Sequence, residues 1–216
     1  SSTAAVYGMA GNEPVSEGAP LSPLSPYGRS KLMTEWMLAD LAHTGAMQYG
    51  VLRYFNVAGA DPHGRAGQST ANATHLIKAA CQAALGLRER LDLFGTDYPT
   101  HDGTCVRDYI HVSDLVHAHA DVLGHLRNGG DSVTLNCGYG RGSSVKEVIE
   151  TVKAVSGVDF EVREAGRRPG DPAAIVAGSD RLKNEIGWTP RHDDLEKIVA
   201  SAWAWEQALR ERKKAG

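Results

Sequence analysis

Apolar positions along this chain switch repeatedly between helical and extended spacing. Residues 27 to about 44 carry Leu32, Met33, Trp36, Met37, Ala39 and Leu41 at helical intervals, and Gly45 closes the segment. Val51-Leu52-Arg53-Tyr54-Phe55, bounded by Gly50 and Asn56, predicts a short buried strand. A helix over residues 74–85 stops at Gly86, and residues 91–94 and 106–110 read as strands. Residues 114–127 are helical and 132–137 extended. Ser144 caps the next helix, Glu147 three residues on completes a capping box, and the helix ends near Gly157. Residues 160–162 predict a strand, 180–186 a short helix and 194–212 a long one. Proline and glycine mark two loops, one from Pro14 to Pro26 and one from Gly59 to Thr70. The run Ala4 to Tyr7 reads as following the end of a strand. Strands alternating with helices predict an α/β fold with mainly parallel pairing.

Composition narrows the function classes. The 216 residues hold 23 basic and 26 acidic side chains, a net charge of −3, with 42% apolar and 23% charged residues. That is an ordinary globular balance, and the mild acidity argues against a nucleic-acid binder. No apolar run reaches the roughly 18 residues that span a bilayer. Cys81, Cys105 and Cys137 form no CxxC pair, the usage of a reducing, cytoplasmic compartment. His111, His117, His119 and His125 lack the spacing of a closed metal site, so no metal is expected.

The sharpest chemical signal is Tyr27-Gly28-Arg29-Ser30-Lys31. Positions i and i+4 share a helical face, so phenol and ammonium can point the same way. A phenol is too weak an acid to serve as a base at neutral pH unless a cation stands beside it. A Tyr–Lys pair can therefore accept the proton of a hydroxyl group being oxidised. An isolated Tyr-x-x-x-Lys would say little. Here Ser1-Ser2-Thr3-Ala4-Ala5-Val6-Tyr7-Gly8 precedes it by about 24 residues, Leu52 to Gly59 (LRYFNVAG) follows, and Asp102 to Val112 (DGTCVRDYIHV) comes later.

In this order and spacing the chain resembles the extended short-chain dehydrogenase/reductase superfamily and, within it, the UDP-glucose 4-epimerase family, from Ser1 to about residue 210. The resemblance implies the C-terminal part of a Rossmann-like parallel sheet in residues 1–57 and a smaller α/β substrate domain in 58–216. Strands near 106–110 and 132–137 are expected to join the Rossmann sheet. It further implies NAD as cofactor, a UDP-sugar substrate and a homodimer. Thr3 would be the catalytic hydroxyl, Tyr27 the base, and Lys31 the residue that bonds the nicotinamide ribose. Tyr54 would lie near the nicotinamide, and Asn56 near the diphosphate. Phe94 would lie by the uracil, with Arg107 on a phosphate, and Arg168 and Asp171 would hold the diphosphate and the nucleotide ribose. His75 falls where some members contact the substrate phosphate through Asn. Ile175 falls where the family sets room for the sugar's 2-substituent, leaving UDP-N-acetyl sugars undecided.

The implied reaction is reversible interconversion of UDP-glucose and UDP-galactose. A 4-epimerase of another UDP-sugar, including UDP-glucuronate, and a non-catalytic nucleotide-sugar-binding module are the alternatives. A 4,6-dehydratase is disfavoured, because Ala4 and Ala5 stand where such enzymes place an acid. The family binds NAD through a glycine-rich first turn, and none precedes Thr3. By the resemblance that turn lies upstream of Ser1, so the 216-residue chain alone is expected to be inactive. Gly138-Tyr139-Gly140-Arg141-Gly142, with Asp159 about 20 residues on, imitates the fingerprint, but Ser143 replaces its last glycine.

Overall fold

A computed structural model describes residues 1–9, 11, 14–71 and 73–215 of the chain. Strand β1 (Ser2–Thr3) runs into a 3-10 turn (Ala4–Val6), and a loop then leads to helix α1 (Pro26–His43). Next come β2 (Gly50–Tyr54), β3 (Asn56–Ala58), α2 (Leu76–Ala84) and β4 (Leu91–Phe94). The middle holds β5 (Val106–Arg107), β6 (Tyr109–His111), α3 (Val112–Arg127), β7 (Val133–Cys137), β8 (Ser143–Ser144) and α4 (Val145–Ser156). The chain finishes with β9 (Val162–Ala165), β10 (Ala174–Ile175), α5 (Asp180–Ile186) and α6 (Leu195–Ala215).

The architecture is α/β with parallel pairing in all but one strand contact. The main sheet has the order β1-β2-β7, with Thr3 beside Tyr54 and Leu52 beside Leu135. Smaller sheets pair β3 with β6, β4 with β9, and β10-β5-β8, the β5–β8 contact being antiparallel. The stretch 106–110 was expected to be one strand of the main sheet. It is instead two strands that pair elsewhere, because Asp108 interrupts them. Its buried carboxylate receives the backbone N–H groups of Tyr139, Gly140 and Ala177 at 3.0, 2.9 and 3.2 Å. Strand β7 pairs with β2.

Two apolar clusters hold the layers together. The larger packs Leu52, Ile110, Leu135, Val148, Trp188 and Ile198, drawn from β2, β6, β7, α4, the loop after α5, and α6. The smaller joins Val6, Tyr7, Leu32, Phe55 and Ile175. Helix α1 starts where expected: Ser25 accepts from Gly28 N at 3.1 Å and Pro26 sits in the first turn. Of its apolar positions, Leu32 is buried while Met33, Trp36, Met37 and Leu41 are about half exposed or more, so that stripe does not pack on this chain's core.

Candidate active site

Thr3 is fixed by backbone pairing. It stands beside Tyr54 across β1 and β2, and its Oγ1 accepts from Ala5 N at 3.2 Å as the cap of the 3-10 turn. The hydroxyl hydrogen remains available to a ligand. Tyr27 lies in the first turn of α1 with its ring about half exposed. One turn further on, Lys31 Nζ donates to the Ser1 carbonyl at 3.2 Å, and the Ser1 and Tyr54 hydroxyls share a hydrogen bond of 2.5 Å. Thr3 and Tyr54 thus stand side by side, and Lys31 reaches the residue that leads into β1.

A cavity of about 1210 Å³ opens there. Thr3, Tyr27, Tyr54, Asn56 and His75, five of the residues singled out in the sequence, line it. Asn56 reaches it from β3, paired to Tyr109 of β6, and His75 from the N-terminal cap of α2. His117, weighed in the sequence only as a metal ligand, also lines it, and the sequence did not point to three further wall residues, Lys78, Glu206 and His192. Lys78 and Glu206 form a buried ion pair across 128 residues, and no local pattern announces it. His192 stacks on buried His111 at 4.4 Å. Burial, with His192 nearby, pushes the His111 imidazole down to about 4.

The other expected residues gather at a second place. Phe94 ends β4 and Ala165 ends its parallel partner β9, so their segments leave the strands' C-terminal edge together. There the Arg168 guanidinium lies 3.8 Å from the Phe94 ring centre, and Arg167 lies 4.2 Å from that of Tyr98. Gly95 between the two rings has φ +79°, and a Cβ on it would come within 2.4 Å of Tyr98. Arg107 faces Asp171 at 3.8 Å. Arg107 and Tyr109 flank Asp108, so one short segment serves both places. Ile175 does not line the cavity: it stands beside Arg107 across β10 and β5 and is buried in the cluster that holds Phe55.

The glycine loop after β7 has a different use from a dinucleotide turn. Its Tyr139 and Gly140 N–H groups already bind the Asp108 carboxylate, and a Cβ on Gly138 would strike Ala177 and Asp108 at 2.6 and 2.7 Å. Burial pushes the Asp108 carboxyl up despite those donors. Glycine here admits an internal carboxylate where the fingerprint would admit a pyrophosphate. Ser144 and Glu147 form the expected capping box just beyond.

Several known proteins are similar to this chain in sequence and fold. A UDP-glucose 4-epimerase of Azospirillum brasilense is 59% identical over 209 residues, covering 97% of this chain and 60% of the relative. A UDP-glucose 4-epimerase from Stenotrophomonas maltophila, crystallised with NAD and formylated UDP-arabinopyranose, superposes with a TM-score of 0.94 at 42% identity. That match covers 98% of this chain and 63% of the other. The Bifidobacterium longum UDP-glucose 4-epimerase, in complex with NAD+ and UDP, gives 0.89 at 34% identity, over 97% and 63% of the two chains. The chain therefore spans about three fifths of the length of these relatives. The family model described as GDP-mannose 4,6 dehydratase matches residues 1–201. With that match and this Rossmann-like α/β fold, the chain belongs to the GDP-mannose 4,6-dehydratase family of the short-chain dehydrogenase/reductase superfamily.

Proposed function

We propose that this chain carries the acid–base and substrate-binding part of an NAD-dependent enzyme that interconverts UDP-glucose and UDP-galactose at C4. Tyr27 takes the proton of the sugar's 4-hydroxyl. Thr3 donates its free hydroxyl hydrogen to the same oxygen, and Lys31 stabilises the phenolate one helical turn away. Bound NAD supplies acceptance and return of the hydride at C4.

The observation that carries this reading is that Thr3, Tyr27, Tyr54, Asn56 and His75 open into one cavity. The nicotinamide end of the cofactor fits the residues present. Tyr27 and Tyr54 line the cavity, and Lys31 engages the Ser1 carbonyl and hydroxyl while keeping one ammonium hydrogen for a ribose hydroxyl. The glycine loop of this chain does not offer a pyrophosphate cradle, since Asp108 fills it. Arg107, Arg168 and Phe94 suit a nucleoside diphosphate: guanidinium groups match phosphate oxygens and the ring stacks on a base. Asp171 would accept from the nucleotide ribose, and Ile175, beside Arg107 in the sheet, would bound the room for the sugar's 2-substituent.

A dehydratase reading is weaker, because the turn after Thr3 holds Ala4 and Ala5 and offers no proton donor. The division near residue 57 and a homodimer built on the exposed face of α1 belong to the same proposal. So does a cytoplasmic setting, supported by three unpaired, buried cysteines. Among the described residues no helix is long and apolar enough to cross a membrane. The test is turnover of UDP-galactose by the protein that carries this chain. Tyr27→Phe should lower kcat by about 100-fold or more. Undiminished turnover would remove the reading.

A further inference from the structure

The cavity wall balances its charges internally. Among the described residues that line it, the lysine and arginine cations are Arg65 and Lys78 and the carboxylates are Asp61 and Glu206, beside the imidazoles of His63, His75, His117 and His192. Arg65 holds Asp61 through two bonds, Nε to Oδ2 at 2.7 Å and Nη2 to Oδ1 at 2.8 Å. Lys78 holds Glu206, and donates a second hydrogen to the Gln68 carbonyl at 2.8 Å. Trp205 Nε1 donates to that carbonyl too, at 3.2 Å, which ties α2, the 59–70 loop and α6 together around the pair. Lys78 is 6% and Glu206 4% exposed, yet both face the cavity. On the nucleotide side Arg107 faces Asp171, whereas Arg168, among the described residues, has no ion-pair partner and lies on the Phe94 ring.

From this partition we infer that the Lys78–Glu206 pair is a specificity-determining element that admits a neutral sugar and rejects a hexuronate. The inference rests on the UDP-sugar reading proposed above. Two of the three Lys78 hydrogens are taken, and the third can donate to a sugar hydroxyl. A uronate carboxylate entering the space beside the pair would lose its water, find the Lys78 charge already taken, and meet Glu206 as a like charge. Discrimination is a difference of two affinities, and an unmatched charge against the wrong ligand supplies it.

Calorimetric titration of the protein that carries this chain, with UDP, UDP-glucose and UDP-glucuronate in turn, tests this without relying on turnover. UDP-glucose should bind at least about tenfold tighter than UDP-glucuronate. In Glu206→Gln the freed Lys78 charge becomes available to the uronate, and the gap should close by about tenfold. Adding Lys78→Met to that variant should reopen it, a response that a merely structural pair would not give. Equal affinity for the two sugars in the unmodified protein overturns the inference whether or not any variant folds, and so does an unchanged ratio in folded Glu206→Gln. If UDP binds while the sugars are not distinguished, only this inference falls. If neither UDP nor either sugar binds, the UDP-sugar reading falls with it.

Discussion

Glu35 receives Arg53 through two guanidinium nitrogens, Nε to Oε1 at 3.0 Å and Nη2 to Oε2 at 2.5 Å, with both side chains buried. Arg53 Nη1 also donates to Tyr7 Oη at 3.0 Å. Tyr7 in turn donates to Asn136 Oδ1 at 2.7 Å, and Ser2 Oγ bonds Glu35. Burial works against the Arg53 charge, but its bonds to Glu35 and Tyr7 outweigh that and hold its pKa above the ordinary value. The network ties α1 to β1, β2 and β7, and so sets Lys31, four residues before Glu35, against the end of β1. Glu35→Ala leaves a buried guanidinium without its carboxylate and should cost about 3–5 kcal/mol in urea unfolding. Glu35→Leu with Arg53→Met should recover most of it. Equal losses in the single and double variants would mean that the pair is not the stabilising unit.

What the sequence disclosed follows the range of the forces involved. The capping box at Ser144 and Glu147, helix α5 and strand β4 are local, and they lie where their residues indicate. Strand β9 is displaced to Val162–Ala165, because its Arg163 and Glu164 are exposed and leave no apolar signature. The break at Asp108 escaped detection, since its three partners come from residues 31 to 69 positions away. Resemblance supplied the cavity residues from Thr3 to His75. Lys78 with Glu206 depends on the fold bringing α6 over α2, which no window of sequence contains.

Thr3 tests the acid–base part of the site. Thr3→Ser keeps both the cap to Ala5 N and the free hydroxyl hydrogen, and should retain turnover within a few fold. Thr3→Val keeps the shape and loses the hydroxyl, and should lower kcat by about 10²-fold with KM little changed. Steady-state kinetics on UDP-galactose decides. A change confined to KM would make Thr3 a binding group alone.

Acid should destabilise the protein through His111. Its imidazole is neutral and buried, Nδ1 accepting from Ser113 N at 3.1 Å and Nε2 lying 3.2 Å from Ser201 Oγ. With the folded value near 4 and the unfolded value near 6.5, the unfolded chain binds a proton that the folded one refuses over that interval. Stability is therefore unaffected above about pH 6.5 and falls as pH drops toward 4, by up to about 3 kcal/mol. Urea unfolding at pH 7.5 and 4.5 measures it. His111→Gln, which cannot titrate, should show a clearly smaller loss between those two values, and an equal loss would assign the acid sensitivity elsewhere.

The outward stripe of α1 tests the dimer. Met33, Trp36 and Met37 are 51, 57 and 58% exposed. It is on this apolar face that the proposed dimer would be built. Sedimentation of the protein that carries this chain should give a dimer, and Trp36→Glu should give a monomer by placing a charge in the interface. A dimer that survives Trp36→Glu would move the interface to another face.

The Arg168–Phe94 contact makes a directional claim about nucleotide binding. With the guanidinium 3.8 Å from the ring centre, a base stacking on Phe94 either shares the ring with Arg168 or takes the opposite face. In both cases Phe94→Ala removes a stacking surface, a loss of about 1–3 kcal/mol or roughly 5- to 150-fold in affinity for UDP. Arg168→Met keeps much of the apolar contact and removes the charge, so it should weaken UDP more than uridine, whereas Phe94→Ala should weaken both alike. Titration of UDP and uridine against the two variants separates charge from stacking. Equal losses for both ligands in Arg168→Met would show that Arg168 acts on the ring and not on the phosphates.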